Sequence, residues 1–208
     1  MKGLILKDIY MMMKYCRAYL LIIVIFTAVS FVDNGNLFLV FYPIILCGMI
    51  PVNLLSYDER SRWLQYSGTM PYTKAQIVSS KYLIGLGTQT LMIIITGTAQ
   101  AIKMSLDGTF APGGYAVFML LLLVVSLFAG AITLPFIFKL GVEKGRMAYY
   151  IMIGIIFGGS VALSGLFNGA MQTVIKMNAI LPTICIVGIL IYVFSWRLSI
   201  SFYKKREI

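Results

Sequence analysis

Apolar residues along this chain gather into six long runs, with the polar residues collected between them. The runs are Ala18–Val32, Leu37–Leu55, Tyr82–Ile102, Ala116–Phe138, Met147–Phe167 and Ile180–Trp196. A helix needs about 20 apolar residues to cross a hydrocarbon layer ~30 Å thick, so the pattern predicts six transmembrane helices in an all-α membrane protein. The first run is short for a span, and Arg17 at its edge is placed to reach back to the headgroups. Pro43 and Pro51 in the second run and Pro135 in the fourth are expected to bend their helices.

The first seventeen residues follow another period. On a helix turning about 100° per residue, Lys7 and Lys14 fall within roughly 20° of each other. Ile5, Ile9, Met12 and Cys16 gather opposite them. That pattern predicts an amphipathic helix lying in the headgroup region, lysines toward anionic lipid and the apolar stripe in the acyl boundary. The other reading is the charged leader of a signal peptide, with Ala18–Phe31 as its core and Ala28-Val29-Ser30 as the cleavage site. A leader needs no amphipathic period and rarely carries an acid such as Asp8. The chain therefore divides into an interfacial helix, residues 1–17, and a six-helix membrane domain, residues 18–208.

Charge orients these elements. Fifteen of the 17 basic residues lie in the N-terminal segment, the 56–81 loop, the 139–146 loop and the C-terminal tail. Lys103 and Lys176 are the two on the other side. The positive-inside rule then places both termini and both basic loops in the cytoplasm.

Composition agrees and removes several classes of function. The chain is 60% hydrophobic and 12% charged, with a mean hydropathy of +0.92, where a soluble domain is about 45–50% apolar and 25% charged. The net charge of +10 reads as topology rather than nucleic-acid affinity. There is no histidine, which excludes imidazole bases and histidine metal sites. Cys16, Cys47 and Cys185 form no C-x-x-C motif, so neither a disulfide framework nor a metal site is expected. No G-x-x-x-x-G-K-[ST] run is present, so nucleotide is not bound through a P-loop. Gly158-Gly159-Ser160 lacks the base a serine nucleophile needs. No catalytic residue is expected.

Gly154, Gly158, Ala162, Gly165 and Gly169 recur on one face of the fifth run. Small residues allow the close backbone approach that packs helices in lipid. That face is expected to meet protein, either another helix of this chain or a second copy.

The longest polar stretch inside the chain runs from Ser56 to Lys81. Its first half is charged and aromatic: Tyr57-Asp58-Glu59-Arg60-Ser61-Arg62-Trp63-Leu64. A Gly–Pro break follows, then Thr73, placed to cap a helix entering the third run. Trp63, Leu64, Tyr66 and Met70 are apolar groups in a segment facing water, which marks a partner surface or a helix resting on the bilayer. An acidic pair followed by Trp63, the turn Met70-Pro71-Tyr72-Thr73-Lys74, and Ile77-Val78-Ser79-Ser80-Lys81-Tyr82 entering a span resemble the ABC-2 type permeases of bacterial ABC exporters. Within them the chain resembles the short permeases that include the subunits exporting phenol-soluble modulins and related peptides. Met70 stands where Leu is common and Lys74 where Arg is common, and both keep the physical character.

The resemblance implies a permease subunit of the bacterial cytoplasmic membrane, paired with a second permease copy and two separate ABC ATPase chains that bind ATP and magnesium. No cofactor is implied for this chain itself. By resemblance, Tyr57, Asp58, Glu59, Arg60, Arg62, Trp63 and Leu64 would dock the ATPase, with Lys139, Glu143 and Lys144 as a second contact. The Met- and aromatic-rich walls suggest an amphipathic or hydrophobic cargo, such as a toxin or antimicrobial peptide. The alternative is a membrane scaffold or immunity protein that binds a peptide or sensor partner without transport.

Overall fold

The structure, a computed structural model, describes residues 2–32, 37–67, 69–108, 111–151, 153–154 and 173–205. Among these residues the chain is helical, with short turns and no strand. The helices are α1 (Lys2–Tyr15), α2 (Arg17–Val32), α3 (Leu37–Gly48), α4 (Ile50–Arg60), α5 (Trp63–Ser67), α6 (Lys74–Leu106), α7 (Pro112–Leu140), α8 (residues 142–151) and α9 (Thr173–Lys205).

Four stretches among the described residues are long and apolar enough to cross a membrane: Leu39–Arg60, Lys74–Leu106, Pro112–Leu140 and Pro182–Lys205. They carry the second, third, fourth and sixth apolar runs. The first run forms the 16-residue α2, and α1 and α2 meet at a 71° bend with Cys16 buried in the corner. The fifth run enters the structure in α8, and most of it lies outside the described residues. Among the described residues the count of candidate spans is therefore four, or five if α1 and α2 make one bent crossing, and the span expected from the fifth run falls mostly outside them.

Proline placement follows position. The second run breaks at Met49, and Pro51 sits in the first turn of α4, where its missing N–H leaves no bond unmade. Pro43 and Pro135 lie inside α3 and α7 without interrupting them. α7 ends at Gly141, whose φ of 90° suits a residue without Cβ; its N–H donates to Ile137 O at 2.9 Å.

α6, α7 and α9 pack together around a cluster of aromatic rings and hydroxyls. A methyl group on Gly130 of α7 would stand 2.9 Å from the Tyr192 ring of α9, so glycine there permits the approach. Tyr82 of α6 stacks on Trp196, with centroids 5.4 Å apart, and meets Tyr192 edge-on. Its hydroxyl lies 2.8 Å from Ser195 Oγ and 2.7 Å from Ser199 Oγ, and Ser195 donates to Ala131 O at 2.7 Å. In lipid a buried hydroxyl must find its partners within the protein, and this cluster supplies them from three helices.

The bundle has two distinct ends. At one, Lys74 Nζ donates to Lys204 O at 3.4 Å, the Phe138 and Tyr203 rings meet edge-on at 5.7 Å, and Arg146 Nη2 donates to Asn53 Oδ1 at 3.2 Å. The basic segments grouped by the charge count thus converge on one end. At the other end Lys103 Nζ donates to Ser30 O at 3.1 Å, joining the C-terminal ends of α6 and α2.

Candidate functional site

The Ser56–Lys81 segment is mostly helical rather than an open loop. α4 continues past the last apolar residue of its run, Leu55, to Arg60, and turns at Ser61-Arg62. Arg62 has a φ of 53°, a left-handed conformation that costs a side-chain-bearing residue about 1–2 kcal/mol. The turn is closed by Arg62 N–H donating to Glu59 O at 3.2 Å and Gln65 N–H donating to Arg62 O at 3.1 Å. The short α5 follows. Thr73 then starts α6 as expected, through a capping box: Gln76 N–H donates to Thr73 Oγ1 at 3.3 Å and Thr73 N–H donates to Gln76 Oε1 at 3.1 Å.

Three of the four aromatic residues of this segment, Tyr57, Trp63 and Tyr72, turn toward α1, and Tyr66 is exposed. The Tyr57 ring stacks on Tyr15 with centroids 4.5 Å apart. Trp63, half-buried, lies beneath Lys7, whose Nζ is 4.2 Å from the ring centroid. A Cβ on Gly3 would stand 3.2 Å from the Tyr72 hydroxyl, so the start of α1 admits that ring. One face of α1 is therefore occupied by protein, and the expectation that Lys7 points to lipid is corrected.

Beneath these rings lies a closed ring of charge. Asp58 Oδ1 is 2.7 Å from Lys7 Nζ, and Asp58 Oδ2 is 2.6 Å from Lys81 Nζ. Asp8 Oδ1 closes the circuit at 2.7 Å from Lys81 and 3.2 Å from Lys7. The side chains of Asp8, Asp58 and Lys81 are at most 2% exposed, and that of Lys7 is 22% exposed. The quartet is neutral and alternates in sign, which is the arrangement that lets four ionised groups share one buried site.

The structure thus divides the sequence-derived candidates. Glu59, Arg60 and Arg62 are exposed, beside exposed Gln65 and Tyr66. Asp58 is buried in the quartet and presents no carboxylate to a partner; Tyr57 and Trp63 face α1. The side chain of Leu64 lies outside the described residues. Lys139, Glu143 and Lys144 are exposed at the junction of α7 and α8, with Lys139 Nζ 5.2 Å from the Phe202 ring centroid. Gly154 is exposed, and among the described residues no atom lies within 4 Å of where its Cβ would be. Gly158, Ala162, Gly165 and Gly169 lie outside the described residues, as do Gly158-Gly159-Ser160.

Lys7, Asp8 and Lys81 were missed as a functional group because they lie 51 and 73 residues from their partners. A usable signal exists for two of the four: ionisable residues at the edges of apolar runs need partners, and Asp58 and Lys81 are such residues. Among the described residues no three His, Cys, Asp or Glu side chains form a metal-binding group, and the three cysteines are free and buried.

Residues 3–204 match a family model described as "ABC-2 family transporter protein". No curated protein and no solved structure matches the chain.

Proposed function

The chain belongs to the ABC-2 transporter family, and on that premise we propose that it is the permease subunit of an ABC exporter, working with a separate ATPase. The family match over nearly the whole chain carries this reading. The exposed ridge Glu59-Arg60-Ser61-Arg62 with Gln65 and Tyr66 is the main docking surface, and Lys139, Glu143 and Lys144 form the second. ATP, magnesium and hydrolysis belong to the partner. Two permease copies and two ATPase chains make the working unit, in the bacterial cytoplasmic membrane with the basic end of the bundle facing the cytoplasm.

The cargo is amphipathic or hydrophobic. Two open apolar grooves on the helical surface support this: one of about 350 Å³ lined by Phe136, Phe194, Leu198 and Phe202 among others, and one of about 470 Å³ lined by Ile23, Val24, Met92 and Ile95 among others. In transport, closure of the ATPases pushes the ridge and tilts the attached helices. The test is ATP hydrolysis by the purified complex in proteoliposomes titrated with amphipathic helical peptides. Stimulation is expected, and a flat response counts against this cargo class.

A further inference from the structure

We propose that the Lys7–Asp8–Asp58–Lys81 quartet is the joint that makes α1 and the start of α6 move with the coupling segment as one body. Lys7 and Asp8 belong to α1, Asp58 to the end of α4 and Lys81 to α6, so three helices meet in one ring of contacts at 2.6–3.2 Å. Lys7 also covers Trp63 at 4.2 Å, which extends the joint to α5. These four are positioning residues; they act through the ridge that meets the partner.

The physical argument rests on what a buried ion ring does and does not do. Replacing buried ion pairs with apolar side chains is often neutral or favourable for stability, so such pairs are poor evidence of stabilisation. Separating them is another matter, because each charge left behind is desolvated and uncompensated. Apolar side chains slide over one another at small cost, whereas this ring resists sliding in every direction its four contacts span. Asp8 accepts a hydrogen bond from Lys81 Nζ at Oδ1 and none at Oδ2 among the described residues, so the lysines of the ring are what fix that carboxylate. A push on the exposed ridge would then displace α1 and α6 together instead of shearing α4 past them.

This inference rests on the proposed coupling role of the segment, and its test separates the two. Spin labels are placed on exposed Tyr10 of α1, Leu83 of α6 and Phe136 of α7, with Cys16, Cys47 and Cys185 replaced by alanine. Distances are measured in the full chain in lipid nanodiscs, alone and with its ATPase trapped by ATP and vanadate. In the parent, Tyr10–Leu83 is expected to stay narrow and unchanged on trapping while Tyr10–Phe136 and Leu83–Phe136 both shift. The charge-balanced variant Lys7→Gln/Asp8→Asn keeps the Lys81–Asp58 pair and removes α1 from the ring. There Leu83–Phe136 should still shift, Tyr10–Phe136 should lose its shift, and Tyr10–Leu83 should broaden at least two-fold in both states. The conservative variant Asp8→Glu should restore the parent behaviour.

An unchanged Tyr10–Leu83 distribution in the charge-balanced variant overturns the joint, as does a Tyr10–Leu83 distance that already shifts in the parent. If trapping moves no pair in the parent, the permease reading fails instead. The joint is then decided by the Tyr10–Leu83 width of the chain alone.

Discussion

Asp58→Asn is the sharpest perturbation of the charge ring. The substitution is nearly isosteric, so packing is preserved and the change is electrostatic. It converts a neutral quartet into one with a net charge of +1, with Lys81 and Asp8 at most 2% exposed. Removing one partner of a buried pair costs about 3–5 kcal/mol. Lys7, with 22% of its side chain exposed, can swing its ammonium toward water, which favours the lower end, about 3 kcal/mol. For a chain of this length about 2–4 °C of melting temperature accompanies each kcal/mol, so a fall of about 6–12 °C is expected. The assay is thermal unfolding in detergent followed by fluorescence-detected size exclusion. The double variant Asp58→Asn/Lys81→Gln restores neutrality and should recover more than half of the loss, because no uncompensated charge remains. A single variant melting within 2 °C of the parent would refute the reasoning, as would a double variant losing as much as the two singles combined.

Other outcomes follow from the same structure. Tyr82→Phe removes the hydroxyl that bridges Ser195 and Ser199 and should lower stability by about 1–2 kcal/mol in the same melting assay; Tyr82→Ala, which also removes the ring stacked on Trp196, should cost about 3–5 kcal/mol. Thr73→Ala removes the α6 capping box and should cost about 1 kcal/mol. Gly130→Val should force Tyr192 aside and cost about 1–3 kcal/mol, with the loss reduced when Tyr192→Leu is added. Arg62→Gly relieves the left-handed turn and should raise the melting temperature by a few degrees while weakening retention of the ATPase, a split that a purely structural arginine would not give.

Much of this architecture is legible along the chain because lipid imposes a coarse rule. Apolar stretches of the required length become helices, and α6, α7 and α9 each contain the run expected of them with extensions at one or both ends. The Thr73 cap was readable because it depends on residues three apart. The gathering of the basic segments at one end was readable because charge distribution follows topology. The misplacements share one cause. The orientations of Lys7 and Asp58 depend on a contact 51 residues apart in sequence, and that of Asp8 on one 73 residues apart, and helical periodicity reports only a helix's own faces. A lysine opposite an apolar stripe looks the same whether it faces headgroups or two buried carboxylates. Trp63 posed the same ambiguity, since a tryptophan in a polar segment signals contact without naming the surface it touches.

The most direct test of the central claim is retention of an ATPase by the tagged chain purified from its own membranes. The account predicts a co-purifying protein that carries G-x-x-x-x-G-K-[ST], and predicts its loss from Arg60→Glu/Arg62→Glu chains that melt like the parent. Purification without any such protein, or full retention by the charge-reversed chain, would contradict it.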